Sequence, residues 1–226
     1  MSFLEQLYNP YNGTSDILSA TYSVWNILNY ISRKYDNKYR YQRGHIRQIQ
    51  AEKLLELVRG NNKYCEIGFN AGHSSALALL SHIKTEVTVF DLMSFSYSKP
   101  SIQLLNESFN SRIKLYEGKS SETLHKACEH KLKCDVIFVD GSHIENEVKK
   151  DLNLIKCLFS KNSVVMIDDI QSGSGIAMRW AVKKNKYRIL ENFGPYEKNH
   201  KNNPCMETPY GPLCMNWGFA TLKPVI

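Results

Sequence analysis

Apolar residues in this chain fall into two alternating rhythms: short, nearly unbroken runs and longer stretches at helical spacing. The runs near 63–67, 86–91, 112–116, 135–140, 163–168, 187–192 and 216–223 read as strands. Helical spacing predicts helices near 72–83, 100–110, 121–130, 144–157 and 173–184. Strands that alternate with helices in this way predict an α/β fold, a Rossmann-like, mostly parallel sheet of seven strands with helices on both faces. The beginning of the chain differs. Ile17, Leu18, Tyr22, Trp25, Leu28 and Ile31 share one helical face behind a possible N-cap at Thr14-Ser15-Asp16, and a second helix is predicted from Ile46 to Val58, stopped by Gly60-Asn61-Asn62. The tyrosine-rich, charged segment Lys34 to Gly44 joins the two. The organisation expected is a helical cap over residues 1–60 and one compact α/β domain over 61–226. Residues 194–215, with four prolines and two glycines, form a long connection of the kind that builds lids and binding loops.

The chemistry concentrates at strand ends. Tyr64-Cys-Glu-Ile-Gly-Phe-Asn-Ala-Gly-His73 joins an apolar strand to a tight glycine turn and then to a helix, an arrangement that lets backbone N–H groups approach a nucleotide-like ligand. The spacing of Gly68 and Gly72 is Gly-x-x-x-Gly, and no Gly-Lys-Ser/Thr is present, which argues against nicotinamide dinucleotides and nucleoside triphosphates. S-adenosylmethionine remains, with Glu66 placed to attract its cationic amino group. Asp91 ends the next strand about 20 residues beyond the glycines, where an acid meets ribose hydroxyls. Asp140 ends a third strand, with His143 close behind it, and Asp168-Asp169 ends a fourth. Carboxylates gathered at neighbouring strand ends repel one another unless a cation joins them. Asp140, Asp168 and Asp169 therefore read as hard oxygen ligands for a divalent ion such as Mg2+, and His143 as the general base beside it.

Composition narrows the class. At 226 residues, 42% hydrophobic and 23% charged, the chain is long enough for one α/β domain with an appendage. No apolar run approaches the roughly 20 residues a membrane helix requires, and no basic stretch leads into an apolar core near residue 1, so a soluble cytoplasmic protein is expected. The net charge of +7 is spread thinly, with no long basic block and no recognisable nucleic-acid module, so nucleic acid is an unfavoured partner; a basic rim that attracts an anionic small-molecule acceptor is compatible with it. The six cysteines, Cys65, Cys128, Cys134, Cys157, Cys205 and Cys214, form no C-x-x-C pair and no zinc spacing. Free thiols are expected, with Cys205 and Cys214 flanking the late loop and able to pair or to meet a substrate.

From Tyr64 to Asp169, and again at Asn216-Trp-Gly-Phe-Ala-Thr-Leu222, these residues resemble the class I S-adenosylmethionine-dependent methyltransferases, within them the group of macrolide-sugar O-methyltransferases. Glu66-Ile-Gly-Phe-Asn-Ala-Gly-His-Ser74 looks like that group's glycine motif, and Val139-Asp-Gly-Ser-His143, followed by Asp151, with Ile167-Asp-Asp169 look like its metal and base motifs. The pattern is also similar to that of catechol O-methyltransferases, where strand-end carboxylates hold magnesium. The resemblance implies an antiparallel last strand, metal at Asp140, Asp168 and Asp169, His143 as base, and cofactor contacts from Glu66, Gly68, Asn70, Gly72, Asp91, Ser120 and Asp140. Two departures stand out: Asn70 replaces a middle glycine, as Asn tolerates positive φ, and Lys119 sits inside Gly118-Lys-Ser120 where relatives carry Asp near the adenine. The activity implied is metal-assisted O-methylation of a sugar, phenol or natural-product hydroxyl. The alternatives are an N- or RNA-methyltransferase on the same scaffold, or a silent nucleoside- or partner-binding domain. A homo-oligomer through the N-terminal helices is a further expectation.

Overall fold

The computed structural model describes residues 14–36, 46–194, 206–208, 211–213 and 217–225. Two helices come first, α1 (Thr14–Tyr35) and α2 (Gln48–Val58). Strands and helices then alternate: β1 (Lys63–Ile67), α3 (His73–Ser81), β2 (Glu86–Asp91), α4 (Ser98–Ser108), β3 (Ile113–Glu117), α5 (Ser120–Glu129), β4 (Cys134–Val139), α6 (Glu145–Leu154), β5 (Phe159–Ile167), α7 (Gly173–Lys183) and β6 (Tyr187–Phe193). A short 3-10 turn, Ile155–Leu158, ends α6, so the single helix expected over 144–157 divides. The late connection carries a small hairpin absent from the sequence reading, β7 (Met206–Thr208) with β8 (Gly211–Leu213), before β9 (Phe219–Pro224). Cys205 and Cys214 lie outside the described residues, as do Tyr196 and Tyr210.

Seven strands form one sheet in the order β3-β2-β1-β4-β5-β9-β6. Pairing is parallel from β3 through β5, whereas β9 runs antiparallel to both β5 and β6. The inner strands are buried along nearly their whole length, as the unbroken apolar runs predict, because helices cover both faces. Helix α3 is buried at every position, His73 through Ser81, which explains why its sequence shows little amphipathic stripe. Its C-terminal end is closed by Arg112, whose guanidinium donates to the carbonyls of Leu79, His82 and Thr85 at 3.0–3.2 Å.

The N-terminal helices share their apolar faces with the sheet. Ile17, Val24, Trp25 and Leu28 of α1 and Leu54, Leu55 and Val58 of α2 join one core with Leu77, Leu80, Val89 and Phe138. Trp25 also donates from Nε1 to the His73 carbonyl at 2.8 Å, so α1 is pinned to the first turn of α3. Among the described residues no helix is long and apolar enough to cross a membrane.

The expectation of free thiols needs correction. Cys65 is bonded to Cys134, and Cys128 to Cys157, with Cα–Cα separations of 5.9 and 5.6 Å that lie within the span a disulfide bridges. Sequence spacing carried no sign of this, because the pairs meet only once β1 neighbours β4 and α5 packs beside the turn after α6. The bridges close loops with separations of 69 and 29 residues, so each should stabilise the protein by about 3–4 kcal/mol through the unfolded chain. Thermal melts with and without a phosphine reductant check this; a substantial fall in midpoint is expected, and an unchanged midpoint would contradict the crosslinks.

Candidate active site

The strand order reverses between β1 and β4, and in an open α/β sheet such a point leaves a crevice beyond the carboxyl ends of the strands. A cavity of about 480 Å³ occupies it. Gly68, Phe69 and Asn70 line it from the loop after β1, Asp140, Gly141 and His143 from the loop after β4, and Asp168 and Asp169 from the end of β5. Trp217, just ahead of β9, and Arg47, just ahead of α2, also line it.

The glycine loop is shaped by contact. Gly68 has φ +95°, and a Cβ there would lie 2.2 Å from the Asp140 carbonyl oxygen, so only glycine lets the two strand ends come together. Asn70 adopts φ 51°, the left-handed region its residue type tolerates, and α4 braces it: Tyr97 donates to its Oδ1 at 2.7 Å and Ser98 to its carbonyl at 2.6 Å. Asp91 serves the same loop. Its Oδ2 accepts from the Phe69 amide at 2.6 Å and its Oδ1 from the Met93 amide at 2.6 Å.

Glu66 is wholly buried and absent from the cavity wall. Its two carboxylate oxygens accept from the hydroxyls of Ser74 and Ser75, in the first turn of α3. Burial raises its carboxyl to about 7, against the opposing pull of hydrogen bonds from Ser74, Ser75 and Tyr64. Ser120 lies elsewhere as well: its hydroxyl bonds the Asp151 carboxyl, which burial lifts to about 6.

The acids at the ends of β4 and β5 converge, in a set that differs by one member from the sequence reading. Ligand atoms of Asp140, His143 and Asp169 lie within 4.8 Å of one another. His143 Nε2 sits 3.0 Å from Asp169 Oδ2, and this hydrogen bond raises the imidazole above its usual value despite partial burial. Burial alone would lift Asp169, but hydrogen bonds from His143 and Gln171 outweigh it and leave its carboxyl below the ordinary value. Asp140 is held well above its ordinary value by burial and by the neighbouring charges of Asp168 and Asp169. Asp168 lines the cavity but turns its Oδ1 to Trp217 Nε1, at 3.0 Å, and to the Asp169 amide, at 2.8 Å. Burial raises it to about 6.

Gly68, Asn70, Asp140, His143, Asp168 and Asp169 thus share one cavity, whereas Glu66, Gly72, Asp91 and Ser120 stand outside its wall. Gly72 opens α3 with φ +86° instead. Two wall residues escaped the sequence reading. His73, 5% exposed, is fixed by Asn29 at 3.0 Å, and Arg47 stacks its guanidinium on the Trp217 ring, 3.7 Å from the centroid. His73 closes the glycine motif but was given no role there, and Arg47 lies more than 90 residues from the strand-end acids it faces.

Residues 65–170 match a family model described as a methyltransferase domain. No curated protein matches the sequence. Solved structures match the fold over most of the chain. An O-methyltransferase from Bacillus cereus in complex with SAH aligns with a TM-score of 0.66 at 12% identity, covering 88% of this chain and 90% of that one. The O-methyltransferase TomG from Streptomyces achromogenes, involved in tomaymycin synthesis and in complex with SAM, aligns with a TM-score of 0.65 at 13% identity over 99% of each. A TDP-rhamnose 3'-O-methyltransferase of calicheamicin biosynthesis aligns with a TM-score of 0.55 at 13% identity, covering 95% and 97%.

The buried carboxyl of Glu66 carries a stability signature. With a folded value of about 7 against an ordinary 4.5, it keeps its proton in the folded state through a window where the unfolded chain has lost it. The stability tied to that proton is complete below 4.5 and drains away as pH rises through about 7. Glu66→Gln is therefore expected to melt close to wild type at pH 5 and above it at pH 8, by scanning calorimetry. A gap that narrows toward alkaline pH would contradict the assignment.

Proposed function

We propose that the chain is a methyltransferase of the class I fold, its methyltransferase domain matched over residues 65–170, and that it methylates a hydroxyl oxygen of a small molecule, using S-adenosylmethionine and a divalent cation. One observation carries the reading: Asp140, His143 and Asp169 converge in the cavity that the glycine loop also lines. The complexes of the Bacillus and Streptomyces neighbours with SAH and SAM support the choice of methyl donor.

The residues fit a hard cation. Asp140 and Asp169 offer carboxylate oxygens, with Asp168 beside them, and the upward push on Asp140 from its neighbours is a repulsion that a positive ion relieves. Such an ion, Mg2+ being the natural choice for an all-oxygen set, would steady the acceptor's oxygens and lower the pKa of its hydroxyl. S-adenosylmethionine supplies an electrophilic methyl, whose bond to sulfur breaks as the bond to the acceptor oxygen forms.

His143 does the proton chemistry. Since a carboxylate only accepts, the bond to Asp169 assigns the proton to Nε2 and leaves Nδ1 to receive the hydroxyl proton of the acceptor. Asp169 holds the ring in place and favours its charged form once the proton arrives. Phe69, Phe95 and Trp217 give the wall aromatic surface. Alignment of acceptor and methyl then supplies much of the rate, as the leaving group is already activated.

His143→Ala should lower turnover by about 10²–10⁴-fold with little change in the affinity for S-adenosylhomocysteine measured by calorimetry. The pH profile offers a second check. Because Asp169 raises His143, the acid limb of turnover should lie above the usual imidazole range, and Asp169→Asn should shift it to lower pH while the rate falls. A limb that stays in place would remove His143 from the role of base. Chelation with EDTA should abolish turnover and leave binding of the methyl donor largely intact.

A further inference from the structure

The geometry points to Arg47 as the anchor of an acceptor that carries a carboxylate, held in the same cavity as the hydroxyl to be methylated. This rests on the methyl-transfer reading of the cavity and names the class of its acceptor.

Arg47 lies just ahead of α2 and lines the cavity that the glycine loop also lines. Its guanidinium lies over the Trp217 ring at 3.7 Å, and Trp217 is itself held, buried, by the hydrogen bond from Nε1 to Asp168. Stacking of this kind fixes the plane of the guanidinium while its N–H edge stays available for two parallel hydrogen bonds to a planar anion. Arg47 is half-buried, and desolvation pulls its pKa down, opposed by the more distant charges of Asp168 and Asp169. Among the described residues no carboxylate lies within ion-pair distance of it. A desolvated cation in a ligand-sized cavity, with its plane set and its edge unclaimed by those residues, is a recognition group rather than a solvated surface charge.

Charge balance selects the anion. The cavity is lined by Asp140, Asp168 and Asp169 and by Arg47, whose positive charge reaches Asp168 and Asp169 without forming an ion pair with either. A carboxylate, with one negative charge and a planar pair of oxygens, matches one guanidinium. A phosphate brings nearly two charges to a site whose acidic half already repels anions. Ring-shaped acceptors suit the aromatic rings of Trp217 and Phe95 that line the cavity.

The test uses 3,4-dihydroxybenzoate and its uncharged analogue 3,4-dihydroxybenzamide, titrated by calorimetry into the protein loaded with S-adenosylhomocysteine and Mg2+, and then assayed for methyl transfer with S-adenosylmethionine. Wild type should bind the acid at least about tenfold more tightly than the amide, the scale of one charge-assisted, two-pronged contact. Arg47→Gln should bring that ratio to within twofold, chiefly through KM. Arg47→Lys, which keeps the charge and loses the fork, should retain a smaller preference. Melting temperature and affinity for S-adenosylhomocysteine verify that each variant is folded and that the methyl-donor site is intact. The anchor is overturned if wild type shows no preference for the acid, including the case where neither compound binds, or if Arg47→Gln keeps the preference. Failure of wild type to bind S-adenosylhomocysteine would instead overturn the methyltransferase reading itself.

Discussion

The site depends on how closely two backbones approach where β1 and β4 end. Gly68 rests against the carbonyl of Asp140 with no room for a side chain, and this contact brings the glycine loop and the loop that carries His143 to one opening. Asp91 reinforces it from the other flank by accepting from the Phe69 and Met93 amides, and Asn70 is clamped by Tyr97 and Ser98. The loop is thus preorganised by hydrogen bonds that are satisfied before any ligand arrives, which lowers the entropic cost of binding.

Charge is handled by division of labour. Adjacent aspartates at the end of β5 face different partners, Asp168 toward Trp217 and Asp169 toward His143, and the left-handed backbone at Asp169, with φ 52°, accompanies that divergence. Gln171 reinforces the turn, bonding Asp169 Oδ1 at 2.6 Å and accepting from the Gly218 amide at 3.0 Å. The result is one acid that organises the aromatic wall and one that tunes the imidazole. Burial is the main physical reason that Asp140 and Asp168 are both raised, and like charges kept this near together add to it.

Most of the architecture was legible because burial on both faces writes itself into a strand as an apolar run, and the runs at 63–67, 86–91 and 135–140 coincide closely with β1, β2 and β4. The converging acids were legible for a related reason: parallel strands deliver their ends to one edge of a sheet. Direction was not legible. Glu66 was expected to greet a ligand, yet it shares a face with Tyr64 two residues earlier, and that face turns toward α3. Asp168 was expected beside Asp140 with its carboxylate free, but Trp217, nearly 50 residues on, claims it. Partners distant in sequence leave no local trace, which is also why Arg47 and the two disulfides went unread.

The antiparallel strand has a consequence for the order in which the molecule assembles. Among the described residues β6 pairs with β9 alone, so its place in the sheet depends on a strand roughly thirty residues further along that lies beside β5. Trp217 arrives with that same insertion, and with it the far wall of the cavity. Closure of so long a loop is slow relative to local helix formation. The parallel strands pair without β9, whereas the part of the pocket that Trp217 lines is in place only when β9 lies beside β5.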